Sequence, residues 1–427
     1  MGGMKRFGKW LLVGAVLLLV AFAGAALALR QWVGTADFRQ RVAQQASGAL
    51  GVPVEFGRIS VDLWPVPAVA LDGVQVRSKP AVTLERIEAR PAWTALVHGR
   101  LEITTLVVRN AVLPEQAVTA IAAVLHRKQE APRGVASQPP RAAASPLPQR
   151  VLLDHVTWVP AKAGSSTIDA QLHVAPDGLP ASARLEVRAG RWQGARATLE
   201  RGDADWALRA DIGGGTVKGR LQLQSAAKGA SVLQAQLDTS NVEVSALTAP
   251  SRTLTGRIEA HTTLRSDLAA GGSIADATRS QTRFTIRNAV VHGIDLAQAV
   301  KTVGLNRGGQ TALDTLAGQV TTEGRTIHLT NLVATSGLLS ATGNVAMAPN
   351  RSLSGRITVE LAAAAAGGAI GVPLSVGGTL DAPSVTLTRG ALIGAAIGTA
   401  IAPGMGTGAG AKLGDKLGES LRGLFGR

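Results

Sequence analysis

The chain has no cysteine and no tyrosine in 427 residues, and only six phenylalanines and seven tryptophans. Without cysteine there is no disulfide, no zinc–thiolate centre and no thiol nucleophile. The same absence avoids mispairing in an oxidising compartment. With aromatic residues at 3%, the core must be built from small and β-branched side chains. Dense basic runs are also missing. The net charge of +15 is spread over single residues from Arg30 to Arg427. Too few rings separate these charges to stack bases, so an anionic lipid surface is the expected partner and nucleic acid is not.

Motifs for catalysis are equally scarce. His98, His126, His155, His173, His261, His292 and His328 fall on different predicted elements. None has an i, i+4 partner or a carboxylate pair of metal-site character, so no metal is expected. Asp154-His155 reads as a surface pair at a strand start. Ser225 and Lys228 match S-x-x-K, but the companion S-D-N and K-T-G elements are missing. Gly406 to Lys412 looks like a phosphate loop, yet Ala411 separates Gly410 from Lys412 and Leu413 replaces the hydroxyl residue. The chain reads as a non-enzyme without cofactor, one that holds or moves something.

What is present begins with WLLVGAVLLLVAFAGAALAL, an uncharged run from Trp10 to Leu29 that includes Leu19 and Phe22. It is long enough to span about 30 Å of hydrocarbon as a helix. Lys5, Arg6 and Lys9 precede it, so residues 1–9 are expected in the cytoplasm and the bulk of the chain across the membrane. Ala26-Leu27-Ala28 imitates a signal-peptidase site, but the run exceeds the usual h-region, and an uncleaved anchor over 10–29 is the preferred reading.

Residues 30–128 form an expected N-terminal module. ADFRQRVAQQASGAL (36–50) has helical spacing and stops at Gly51. VEFGRISVDLW then alternates, with a slip at Gly57-Arg58 that suggests a bulge. PAWTALVHG (91–99) suggests a short helix, and Pro114 opens a helix with Ala117, Ile121, Val124 and Leu125 on one stripe. Residues 129–150, rich in proline and alanine, read as a linker and domain boundary. From 151 to 388 the pattern is almost unbroken alternation, with IDLAQAVKTVG (294–304) as the one helical interruption and Gly213-Gly214-Gly215 as a hairpin turn.

This predicts a mainly β protein, an elongated antiparallel sheet with one apolar and one polar face and a few short helices. The apolar face includes Leu172, Val174, Leu185, Val187, Leu208, Ile212, Leu221 and Leu223. Such a sheet must pack as a sandwich or curl into an open apolar groove, and the residue pattern alone leaves both open. In the tail, 389–427, Gly390, Gly394 and Gly398 permit close helix packing. Leu413, Leu417, Leu421 and Leu424 form a stripe suited to a membrane interface or a partner, or to capping the last strand edge.

Three stretches carry a resemblance. The anchor followed by VAQQASGALGVPVEFGRISVDLWPVPAVALDGVQVR and WTALVHGRLEITTLVVRNAVL resembles the N-terminal region of the AsmA family of inner-membrane-anchored periplasmic proteins. LDTLAGQVTTEGRTIHLTNLVATSGLLSATGNVAMAPNRSLSGRITVEL looks like that family's C-terminal region, and VPLSVGGTLDAPSVTL is similar to its closing strand pair. The resemblance implies a β-groove with an apolar lining, single-pass anchorage in the inner membrane of a Gram-negative bacterium, and a part in moving phospholipid toward the outer membrane. It implies a phospholipid or other acyl lipid as partner, alongside a periplasmic or outer-membrane protein, and no catalytic residues. A second expectation, from a different class, is a non-catalytic scaffold that assists outer-membrane protein assembly.

Overall fold

The computed structural model describes residues 35–62, 68–92, 102–130, 148–161, 164–225, 231–249, 251–268, 274–301, 308–337, 339–361 and 370–391. The apolar run at 10–29, most of the segment 91–99, most of the linker, the phosphate-loop look-alike and the tail beyond 391 lie outside these. Among the described residues no helix is long and apolar enough to cross a membrane. The chain divides into two compact units, residues 1–194 and 195–427.

In the first unit, α1 (Ala36–Leu50) ends at Gly51, whose φ of 71° is open to glycine at little cost. Ser47 Oγ bonds back to the Ala43 carbonyl at 2.6 Å and accepts the Val54 N–H at 2.8 Å, tying the helix end to the first strand. β1 (Val54–Glu55) and β2 (Arg58–Asp62) both pair with β3 (Ala68–Val76). The slip at Gly57 therefore splits one expected strand in two. β3, β4 (Val82–Pro91) and β5 (Ile103–Pro114) continue the meander, and α2 (Glu115–Glu130) follows directly.

The linker region departs from expectation. β6 (Arg150–Val159) pairs with β5 in parallel, with Leu106 beside Val151 and Val108 beside Leu153. A parallel pair needs a long crossover, and α2 with the Pro-rich segment supplies it. Residues 129–150 thus connect neighbouring strands of one unit, and the division falls instead at Gly194/Ala195. β7 (Ser166–Val174) and β8 (Pro180–Ala189) complete this unit with antiparallel pairing.

The second unit is an antiparallel meander in which each strand pairs with the next. It comprises β9 (Arg196–Arg201), β10 (Trp206–Ile212), β11 (Gly215–Ser225), β12 (Ser231–Glu243), β13 (Leu254–Leu268), β14 (Thr278–His292), β15 (Gln310–Glu323), β16 (Thr326–Thr335), β17 (Leu339–Met347), β18 (Leu353–Leu361), β19 (Ile370–Gly378) and β20 (Pro383–Leu387). Three short helices interrupt it: α3 (Val244–Thr248), α4 (Ile274–Ala277) and α5 (Leu296–Lys301), the last where sequence spacing places one. Ile212 pairs with Gly215 across the two-residue turn Gly213-Gly214, at φ 56° and 72°. Both left-handed values are what a primed hairpin turn requires.

Left-handed residues recur inside the strands, and three of them mark breaks in register. His155 (φ 53°) lies between Leu153 and Val156, Asn241 (φ 54°) between Thr239 and Val242, and Asn331 (φ 52°) between Leu329 and Leu332. A bulge leaves an amide outside the ladder, and a neighbouring side chain accepts it here: Asp169 Oδ1 takes the His155 N–H at 2.8 Å, and Asn344 Oδ1 takes the Asn331 N–H at 2.9 Å. Bulges of this kind bend strands and increase their twist.

Candidate functional site: a continuous apolar face

The registers carry one row of residues across eleven strands of the second unit. It runs Leu208, Gly219, Leu237, Thr262, Thr282, Val320, Leu329, Val345, Gly355, Val376 and Val385, each paired with the next. Its two threonines satisfy each other through hydroxyls 2.9 Å apart. The adjoining row begins Trp206, Leu221, Ala235, Leu264. Alternation with period two puts all of these on one face and Lys218, Arg220, Gln236 and Thr263 on the other.

This face is not equally packed along its length. From β14 to β20 it includes a packed core, with Val359 and Leu374 at 0% exposure and Ile286 at 2%, while Val320, Leu329 and Val345 of the traced row are half-buried. Val244 of α3 and Leu296 and Ala299 of α5 belong to that cluster, filling the space above the strands. From β10 to β13 the same face is half-buried at Leu208, Ile212, Leu221, Leu223, Leu233, Leu237 and Leu264. The small residues do not simply leave room. Leu237, Leu332 and Ile357 reach over Gly219, Gly318 and Gly343, each to within 2.8 Å of where a glycine Cβ would stand.

In the first unit Leu172, Val174, Leu185 and Val187 also share a face, through the pairs Ala170–Leu185, Leu172–Ala183 and Ile168–Val187. Val187 is buried there and the other three are half-buried. Elsewhere in this unit two helices cover part of the sheet. Ala46 of α1 and Ala117 and Ile121 of α2 pack on Val54, Val74, Val76 and Val82. Trp10, Leu19, Phe22 and Leu29 of the expected anchor, and Leu413, Leu417, Leu421 and Leu424 of the tail, lie outside the described residues.

The opposite face of the first unit is less polar than its alternation suggests. Ala70 and Val107 are buried on it, and so is Glu88, whose Oε1 accepts from Arg90 Nε at 2.7 Å. A buried carboxylate held by a guanidinium is costly to unpair.

Histidine geometry also differs from the sequence reading. The β6 bulge brings Asp169 beside Asp154-His155, a cluster that spacing along the chain could not reveal. His155 Nδ1 lies 2.6 Å from Asp154 Oδ1 and 3.6 Å from Asp169 Oδ1. The Asp154 hydrogen bond, then the Asp169 charge, raises the His155 pKa. Burial alone would raise Asp169, but the His155 N–H and the Arg188 guanidinium at 2.6 Å outweigh it and lower its pKa. Asp169 Oδ1 thus holds the bulge, while Oδ2 ties the cluster to Arg188 of β8.

No curated protein and no solved structure matches the chain. A family model matches over α1, α2 and β1 to β6, leaving the two C-terminal stretches that carry the resemblance outside it. Residues 4–162 match the model of the AsmA family, and this portion of the chain is AsmA-family sequence.

Proposed function

We propose that the chain is an inner-membrane-anchored periplasmic lipid-handling protein. It holds acyl chains against the half-buried stretch of its apolar face and contributes to phospholipid transfer toward the outer membrane and to the integrity of that membrane. The supporting observation is that one face of the second unit carries apolar side chains from β10 to β20, fully buried at sites such as Val359 and Leu374 but only half-buried at Leu208, Leu221, Leu223, Leu233, Leu237 and Leu264 of β10–β13. A face that needed only a core would be covered throughout, since exposed contiguous apolar area is costly and marks binding surfaces. AsmA-family membership of the N-terminal region is consistent with an envelope role.

A photo-crosslinking residue at Leu208, Leu221 or Leu237 of the full chain in native membranes is expected to capture phospholipid, while one at Leu374 is not. No adduct at the first three, together with no phospholipid co-purifying in native mass spectrometry, would sink the reading. The packed core within β14–β20 favours a second one, a scaffold assisting outer-membrane protein assembly. On that reading Leu221→Gln unfolds the second unit; on the first it leaves the fold intact and abolishes lipid capture.

A further inference from the structure

On the polar face of the second unit, β11 to β15 border a cavity of about 480 Å³. One cross-strand row of its lining reads Gln222, Gln234, Arg265, Arg279, Glu323. Arg265 and Arg279 are direct ladder partners. Like charges directly opposite destabilise a sheet. Charged residues often blunt an edge strand, but β13 and β14 each have neighbours on both sides, so edge protection does not explain the pair.

Local counter-charge offsets only one member of the pair. Arg265 Nε is 3.5 Å from Asp267 on its own strand, and Arg220 Nε is 3.8 Å from Asp205. Among the described residues Arg279 has no acidic partner within 4 Å, although Glu323 stands opposite it in the ladder. Gln234 of β12 and Gln281 of β14 add amide donors to the same lining. The result is a concave site lined by three guanidinium groups, of Arg220, Arg265 and Arg279, by several amides, and by the carboxylates of Asp205 and Glu323.

We propose that this cavity binds a phosphate ester, its oxygens bridging Arg265 and Arg279. A guanidinium offers a planar fork of donors, and two forks from adjacent strands need acceptors on two sides of the ligand. A tetrahedral phosphate presents them; a carboxylate presents two oxygens on one side. The volume is in the range of small-molecule sites and exceeds a bare phosphate, leaving space for a hydroxyl-bearing moiety against Gln234 and Gln281. The bridging anion converts the like-charge pair from a cost into a binding element. Ladder alternation puts Arg265 and Arg279 on the face opposite Leu221, although Ala235 and Leu264 also border the cavity, and the phosphate site does not require the acyl-chain reading.

The test uses the full chain in detergent, with Tm and calorimetric titration as readouts. Its probes are inorganic phosphate, glycerol 3-phosphate and a short-chain phosphatidylglycerol. At least one probe is expected to raise Tm and bind saturably. Arg265→Gln and Arg279→Gln should each weaken it tenfold or more, and Arg279→Lys, which keeps charge but not the fork, by less. Arg283→Gln, on the same face outside the cavity, should leave binding unchanged. Without ligand, Arg279→Gln should hold or raise Tm, because it relieves the repulsion. Binding of glycerol 3-phosphate assigns the site to soluble esters, and binding of the lipid alone assigns it to a headgroup. No saturable binding by any probe, or equal binding by the Arg→Gln variants, overturns the proposal.

Discussion

His155 and Asp169 face each other across the bulge between β6 and β7, where the His155 N–H donates to Asp169 Oδ1 at 2.8 Å. The left-handed His155 leaves an amide without a ladder partner, and the carboxylate supplies one. The second Asp169 oxygen takes Arg188 at 2.6 Å, so one side chain ties three strands together.

That relationship has a pH dependence of known sign. The raised pKa of His155 means its contribution is fully present below about 6.5, the unfolded value, and fades as pH rises through the folded pKa. The lowered pKa of Asp169 gives stability present above its unfolded value of about 3.9 and lost as pH falls through the folded pKa. NMR titration of Asp169→Asn should show the His155 pKa falling toward its ordinary value. An unchanged pKa would contradict the pairing.

The turn at Gly213-Gly214 gives a second test. Gly213→Ala should destabilise the second unit by about 1 kcal/mol or more, because a side chain is disfavoured at positive φ. Its Cβ would also stand 2.8 Å from that of Ala246. Urea denaturation of the full chain measures the loss, and no change in midpoint would argue against the left-handed turn.

The bulge at Asn331 gives a third. Asn331→Gly should be nearly neutral, since glycine accepts φ 52° freely. Asn344→Ala removes the acceptor for the Asn331 N–H and should cost about 1–3 kcal/mol if no water replaces it. Hydrogen exchange at the Asn331 amide, faster in Asn344→Ala, reports the loss directly.

Packing along the apolar face makes the fourth. Leu374→Ala, at a fully buried site, should cost about 2–5 kcal/mol. Leu208→Ala, half-buried on the same face, should cost about 1 kcal/mol. Equal costs would show that β10–β13 are packed as tightly as β14–β20, and would favour the scaffold.

Much of the architecture is legible in the residues themselves. Alternation from 151 to 388 specifies strands because their side-chain period is two. Gly51 and Gly213-Gly214 specify a helix stop and a hairpin because only glycine takes positive φ freely. Helical spacing places α1, α2 and α5. These are local properties, set by each residue's own backbone preferences and its immediate neighbours.

Only the tertiary structure decides what depends on partners distant in sequence. Parallel pairing of β5 with β6 makes the Pro-rich segment a crossover rather than a boundary. The β6 bulge joins Asp169 to His155, and the β13–β14 register sets Arg265 against Arg279. The face that reads uniformly apolar is most deeply buried where Val244 of α3 and Leu296 and Ala299 of α5 join its cluster, and half-buried at residues such as Leu208 and Leu221. Hydrophobicity specifies which side chains leave water, but coverage depends on which elements reach them, and that is a property of the assembled chain.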